Sequence, residues 1–179
     1  MDIIVYTITD MESILDILND CRGVKQDPRY HPEGDVYVHS IQAFYRACHE
    51  TKDIDLVFAA LLHDVGKTID NHGHEQYAIE MLRENVSIKT LWLIEQHMRI
   101  WAYLKGEMKR LGKCLELISH PWFSELIQLA RFDKMARNQS WHPQSDRERI
   151  VEKLNKVVNK RWIKKYESKQ EDPDPIASL

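Results

Sequence analysis

The sequence predicts an all-α protein. Apolar residues recur at helical spacing along most of the chain, and turn residues separate these stretches. The residues with β-branched character at 3–6 form too short a segment to define a strand. Glycine is scarce, with six residues in 179, and no glycine-rich phosphate loop is present. The expected architecture is therefore a helical bundle.

The predicted helices follow one another in a regular order. The first covers Asp10 to Asn19, and a loop rich in turn residues follows at 27–34. Six further helices are predicted at 36–50, 54–64, 74–85, 88–104, 122–138 and 146–166. In chain order, the apolar faces of the seven helices include Met11, Ile14, Leu15 and Leu18; Ile41, Phe44, Tyr45 and Cys48; Leu56 to Leu62; Ala78, Met81 and Leu82; Leu93 and Ile94; Leu126, Leu129 and Ala130; and Ile150, Leu154, Val157 and Val158.

Length and composition indicate one domain, which we place at residues 1–166, with a disordered tail at 167–179. The net charge of −3, with both signs interspersed, argues against a dedicated nucleic-acid platform. Three cysteines without paired spacing predict neither a disulfide framework nor a zinc ribbon. The sequence has no targeting segment and no stretch of membrane-spanning length, so we expect a cytoplasmic protein without a membrane partner.

The most informative segment is Leu61-Leu62-His63-Asp64-Val65-Gly66-Lys67. All seven residues from Leu56 to Leu62 are apolar, which indicates a buried helix. An imidazole and a carboxylate at the end of such a helix cost several kcal/mol unless a partner compensates them. A bound metal cation is one such partner.

Four other residues face the same interior on predicted helices, namely His39, His74, His97 and Asp133. Taken singly, each histidine is more often a helix cap or a hydrogen-bonded core residue, but together they indicate a metal site. Imidazole and carboxylate ligands favour a divalent transition metal, such as Mn, Fe, Co, Ni or Zn. The remaining histidines lack this pattern and are predicted at the surface or in loops: His31, His49, His72, His120 and His142.

These motifs resemble the HD superfamily of metal-dependent phosphohydrolases. The stretches from His31 to His39 and from Ala59 to Lys67 are similar to the HD domain of bacterial tRNA nucleotidyltransferases, the CCA-adding enzymes. His72-Gly73-His74-Glu75 resembles the next segment of that group, and the similarity covers roughly residues 27–138. No nucleotidyltransferase domain accompanies these motifs in the sequence, so we expect a free-standing HD domain.

The resemblance implies an HD-domain helical bundle around a buried metal site and a role for each matching residue. His39, His63, Asp64 and Asp133 match the residues that hold one metal ion. His74 and His97 match the histidines that hold a second ion in binuclear members, with Asp64 bridging. Lys67 matches the lysine near the anionic group of the substrate, so Asp64 and Lys67 are the expected catalytic residues. Gly66 is expected to permit the turn that ends the helix.

The expected activity is hydrolysis of a nucleotide or related phosphate ester by metal-activated water. Further candidates for substrate binding are Arg99, Arg131 and Arg137, although each is more often a surface charge. Trp101 and Tyr103 could stack on a base, with core packing the competing role. Two other functions stay open: a di-iron oxygenase of the same superfamily, which uses the same six ligands, and a non-catalytic module that binds nucleotides or nucleic acid through the carboxy-terminal lysines.

Overall fold

The computed structural model describes the backbone of residues 8–158, and this part of the chain is all-α, as predicted. The eight α-helices are α1 (Ile8–Asn19), α2 (Val36–Glu50), α3 (Ile54–Leu62), α4 (His74–Leu82), α5 (Ile88–Leu104), α6 (Leu111–Ile118), α7 (Phe123–Met135) and α8 (Arg147–Val158). A one-turn 3-10 helix, Val65–Thr68, joins α3 to the loop before α4. Within residues 8–158 the only β-type pairing is an isolated bridge between Lys25 and Asp35.

Side-chain caps fix where the site-bearing helices begin. The carboxylate of Asp35 accepts a hydrogen bond from the backbone N–H of Val38 at the start of α2. Asp53 caps α3 and Ser87 caps α5 in the same way. Each cap satisfies a backbone donor that the helix itself leaves unpaired. The entry of each helix, and thus the direction of its inner face, is therefore set locally.

Helix α3 forms the centre of the bundle. Each of its residues from Leu56 to Leu62 is at most 1% exposed, as the apolar run predicts. Helices α2, α5 and α7 all pack against it. Because α3 is surrounded in this way, the two residues that follow it, His63 and Asp64, lie inside the protein with 1% and 2% exposure.

The observed helices differ from the predicted ones in several places. Helix α6 was missed, although Leu111, Leu115 and Ile118 recur in it at helical spacing. This apolar face is exposed in the structure, and Leu117 is the one buried residue of the helix. Helix α3 ends at Leu62 rather than at residue 64, since the chain tightens into the 3-10 turn. Helices α4 and α7 end a few residues early at Leu82 and Met135. The β-branched segment at 3–6, the end of the last predicted helix at 159–166 and the predicted tail at 167–179 lie outside the described residues.

Gly66 has a different role from the expected one. Its φ is not positive, unlike that of Gly73 and Gly34. A Cβ at Gly66 would instead collide with the backbone of His74 and lie 2.7 Å from the N atom of Ala78. The missing side chain therefore lets the 3-10 turn approach the backbone of α4, which brings His74 towards Asp64.

None of the helices in the described range combines the length and the apolar character that a membrane crossing requires.

Candidate metal centre

Asp64 lies at the middle of the buried polar cluster. Its Oδ2 is 3.8 Å from Nε2 of His39 and 3.6 Å from Nε2 of His63. Its Oδ1 is 3.1 Å from Nε2 of His74 and 3.7 Å from Nε2 of His97. The two carboxylate oxygens thus face two different pairs of imidazoles, which come from four separate segments of the chain.

Asp133 completes the side of the cluster that contains His39. From α7, its Oδ1 lies 3.2 Å from Nε2 of His39, and its side chain is 8% exposed. Trp101 donates a hydrogen bond from Nε1 to the other oxygen, Oδ2, at 3.0 Å, and Arg137 donates to Oδ1 at 3.0 Å. These two donors hold the carboxylate in a fixed orientation towards His39.

Three of the four central histidines share one hydrogen-bonding pattern. Nδ1 of His63 lies 3.2 Å from the carbonyl of Ala60, three residues earlier. His74 and His97 make the equivalent contacts, at 3.0 and 2.5 Å, with carbonyls three residues before them. A hydrogen on Nδ1 satisfies each carbonyl and leaves Nε2 with a free lone pair directed into the cluster. This is the tautomer that a metal ligand requires.

The electrostatics of the cluster keep both carboxyl groups ionised. Burial by itself would raise the pKa of Asp64, but His63, Lys67 and the hydrogen bond with His74 hold it well below its ordinary value. Burial likewise opposes ionisation of Asp133, yet the hydrogen bond with His39 and that residue's charge lower its pKa strongly.

The histidines divide into two groups by the direction in which their pKa values are shifted. Burial lowers the pKa of both His63 and His97 to about 4, so these imidazoles are neutral at physiological pH. Burial would also lower the pKa of His39, but hydrogen bonds with Asp133 and Glu33 outweigh it and raise the pKa to about 9. The pKa of His74 is raised in the same sense by Asp64 against the effect of burial.

The residues present fit a divalent transition metal. Nε2 of His63 is buried without a hydrogen-bond partner among the described residues. Both ring nitrogens of His39 are buried as well and face carboxylate oxygens. Nε2 of His74 and Nε2 of His97 face each other at 3.0 Å, an arrangement typical of two ligands directed at a common point. Two groups have ligand atoms within 4.8 Å of one another and share one residue: His39, His63 and Asp64, and Asp64, His74 and His97. Nitrogen and carboxylate donors in this mixture suit Mn, Fe, Co, Ni or Zn.

Lys67, which belongs to the 3-10 turn, lies at the edge of this cluster. Its Nζ donates to Oδ2 of Asp64 and to Oε1 of Gln26, both at 2.7 Å. The side chain is only 10% exposed, so it is not a solvated surface lysine. A positive charge therefore lies directly beside the central carboxylate.

Glu33 is a site residue that the sequence analysis missed. It lies in the loop before α2, is 8% exposed, and places Oε1 2.6 Å from Nδ1 of His39. The same oxygen is 3.0 Å from Nδ1 of His31. His31 was predicted as a surface or loop residue; it lies in the loop, but it is half-buried and its ring packs edge-on against His39, with centroids 4.7 Å apart. A carboxylate in a turn-rich segment gives no periodic signal of burial, although its spacing from His31 and His39 was visible.

The remaining sequence candidates lie in different places. Arg99 donates to Gln96 and to the backbone of α6, and Arg131 pairs with Glu50 on the exposed side of α7, so neither contacts the cluster in this structure. Tyr103 packs edge-on against Phe123 at 5.5 Å, which is the core-packing role.

Among the other histidines, His49, His72 and His142 are exposed as expected, while His120 is half-buried and stacks on Trp92 at 3.7 Å.

Comparison with known proteins gives one family and several relatives. The sequence model of the HD-domain family matches residues 36–154 of this chain. Two proteins named "Multifunctional CCA protein" are similar to part of the chain. The one from Hahella chejuensis is 35% identical over 80 residues, 41% of this chain and 19% of that protein. The one from Acinetobacter baumannii strain ATCC 17978 is 32% identical over 101 residues, 54% of this chain and 24% of that protein. The matched segments thus span about a fifth to a quarter of these relatives.

Proposed function

Because this chain belongs to the HD-domain family, we propose that it is a metal-dependent phosphohydrolase that acts on a nucleotide or a related phosphate ester. One observation supports this most directly: Asp64 lies between two groups of imidazoles while the ammonium of Lys67 contacts it at 2.7 Å. Ligands for a cation and a positive charge for a phosphate oxygen are thereby present in one buried cluster.

The proposal assigns His39, His63, Asp64 and Asp133 to one ion. His74 and His97, together with Asp64, would hold a second ion. A divalent ion bound there supplies Lewis-acid polarisation of a phosphoryl oxygen and a lowered pKa of water. Phosphate-ester hydrolysis needs both, because the nucleophile must form near neutral pH and negative charge grows on the phosphoryl oxygens.

The chain's own residues have separate tasks in this proposal. Lys67 acts as a point charge for a phosphoryl oxygen of the substrate. Arg137, which already contacts Asp133, is the arginine candidate with the best position to contact substrate. Because the pKa of Asp64 is far below neutrality, its carboxylate is a weak proton acceptor, so its task is to hold and orient its neighbours.

The experiment that tests this function is a substrate screen on purified protein. Mn, Ni, Co, Mg and Zn are supplied separately, with nucleoside mono-, di- and triphosphates, 2′,3′-cyclic nucleotides and dinucleotides as substrates. We expect release of phosphate or a nucleotide with at least one transition metal, and loss of turnover with EDTA and in Asp133→Asn. His72→Ala is the control, since this histidine is 97% exposed.

The same samples distinguish the oxygenase alternative. Iron as the resident metal, with oxygen consumption and no hydrolysis of any phosphate ester, would contradict the hydrolase. Nucleotide binding without turnover under any metal would instead favour the non-catalytic module.

A further inference from the structure

A groove lined by aromatic and basic side chains lies away from the metal centre. It has a volume of about 440 Å³ and lies between the carboxy-terminal half of α2, Trp141 in the loop before α8, and α8 itself. Four residues with basic side chains line it, namely Arg46, His49, Lys153 and Lys156. It shares no residue with the buried histidine–aspartate cluster. We call it the Trp141 groove.

Arg46 is the least satisfied cation of this groove. The residue is half-buried, and its Nε is buried without a hydrogen-bond partner among residues 8–158. Its guanidinium lies 5.6 Å from the ring centroid of Trp141, a contact that does not supply a negative charge. Since a partly desolvated cation without an anion is unfavourable, this position favours an anionic ligand.

Lys153 has a similar environment on the opposite wall. Its Nζ lies 4.3 Å above the ring of Tyr45, in a cation–π contact rather than an ion pair. Two acidic residues near the groove already have cationic partners: Glu152 accepts from Lys156, and Glu50 from Arg131. Neither Arg46 nor Lys153 has a carboxylate within ion-pair distance among the described residues, although Glu152 attracts Lys153 at longer range.

The aromatic part of the groove is held rigidly. Tyr45 and Trp141 pack edge to face with centroids 6.0 Å apart. The hydroxyl of Tyr45 donates to the carbonyl of Gln144 at 2.5 Å, and Nε2 of Gln42 donates to the carbonyl of Asn138 at 2.8 Å. Both bonds fasten the loop that carries Trp141 to α2, so a flat ligand would meet a preformed surface.

We propose that the Trp141 groove binds a nucleoside monophosphate. The indole of Trp141 offers a surface on which a base stacks, and Arg46 and Lys153 bind the phosphate. A cavity of about 440 Å³ is within the range for a small ligand. The net charge of −3 disfavours a long nucleic-acid strand as the occupant. This site is independent of the proposed hydrolase activity, and either stands without the other.

The test is equilibrium binding to the whole 179-residue chain in EDTA, which keeps metal ions out of the measurement. AMP, GMP, CMP and UMP are titrated by calorimetry, with adenosine and inorganic phosphate as partial ligands. The variants are Arg46→Gln, Lys153→Gln and Trp141→Phe. Arg83→Gln and Lys105→Gln are matched controls, because both residues are exposed and lie on other helices or helix ends.

We expect at least one monophosphate to bind, and Arg46→Gln or Lys153→Gln to raise its Kd roughly 10-fold or more. The control variants and Asp133→Asn should bind as the wild type does. A further variant, Trp141→Leu, is measured beside Trp141→Phe. It should weaken the binding of the nucleotide but not the binding of inorganic phosphate, because only the nucleotide has a base that stacks. Thermal melts of every variant establish that it is folded.

Three results would overturn the proposal. The first is no binding of any monophosphate at millimolar concentration. The second is binding that Asp133→Asn abolishes and Arg46→Gln leaves unchanged, which would assign the nucleotide to the metal centre. The third is inorganic phosphate binding as tightly as every nucleotide, which would remove the base from the site.

Discussion

Glu33 and His39 form the shortest contact between two side chains of the candidate metal centre, with 2.6 Å between Oε1 and Nδ1. The opposite nitrogen of the ring, Nε2, faces Asp64 and Asp133. A carboxylate behind a histidine fixes the ring orientation and increases the basicity of the outer nitrogen. Glu33 is therefore positioned to orient His39 without reaching the cluster itself.

The first prediction follows from this contact. Glu33→Ala should lower the affinity for the first metal ion roughly 10- to 100-fold, because His39 loses its orientation. Glu33→Gln should retain part of the affinity, since its amide oxygen can still accept from Nδ1. Metal titration by calorimetry measures both. Glu84→Gln is the control, because that side chain is 85% exposed; equal affinities for all three variants and wild type would show that Glu33 does not position His39.

The second prediction concerns metal stoichiometry. His74→Ala and His97→Ala should each reduce the bound metal from two ions to one, since both histidines face only Oδ1 of Asp64. Elemental analysis after dialysis against excess metal measures this, with His72→Ala as the control. A single ion in the wild type under saturation would contradict the binuclear assignment and leave the first ion in place.

Lys67 carries the third prediction. Its Nζ contacts both Asp64 and Gln26, so the ammonium group is held against the candidate metal centre rather than in solvent. Lys67→Ala should lower kcat/KM for a phosphate ester roughly 10- to 1000-fold, because charge on the phosphoryl group is no longer neutralised. Lys67→Arg should restore only part of the rate, since a planar guanidinium does not replace a compact ammonium.

Steady-state kinetics and metal analysis check the Lys67 variants together. Their metal content should match the wild type, and Lys105→Ala, at an exposed position, should have wild-type kinetics. Wild-type kcat/KM in Lys67→Ala on every hydrolysed ester would exclude the lysine from phosphate binding and transfer that role to Arg137.

The fourth prediction compares two glycines. Gly66→Ala should lower the free energy of unfolding by roughly 1–3 kcal/mol, because the new methyl collides with the α4 backbone. Gly112→Ala in α6 has no atom within 4 Å of the added Cβ and should change stability little, or raise it by up to about 1 kcal/mol. Urea denaturation measures both; equal stability of the two variants would show that the close approach at Gly66 imposes no constraint.

The periodicity of the sequence predicted the fold class and the inner faces of the helices. His39, His74, His97 and Asp133 were each placed on an apolar face, and the structure buries all four to 6% exposure or less. The resemblance to the HD superfamily is confirmed by the family match over residues 36–154. These predictions succeed because helical burial leaves a repeating pattern in the sequence. The metal-binding roles of the six residues stay predictions.

What the sequence did not predict depends on contacts between distant segments. Glu33 reaches His39 from a loop, where no periodicity marks a buried side chain. The contact of Trp101 with Asp133 joins α5 to α7, and the sequence alone left its role open between stacking and packing. The close approach of α4 explains Gly66, and its distance is set by tertiary packing rather than by local backbone preference.

The amide of Gln42 pairs with the backbone of Asn138 in both directions, donating to the carbonyl at 2.8 Å and accepting from the N–H at 3.1 Å. These residues are 96 positions apart in the sequence, and His39 and Asp133 are separated almost as widely. Forming contacts of such long range costs the conformational entropy of the intervening loop and slows folding. During synthesis on the ribosome, the cluster therefore stays incomplete until α7 has emerged, so a nascent chain that ends before Asp133 lacks one carboxylate of the first metal position.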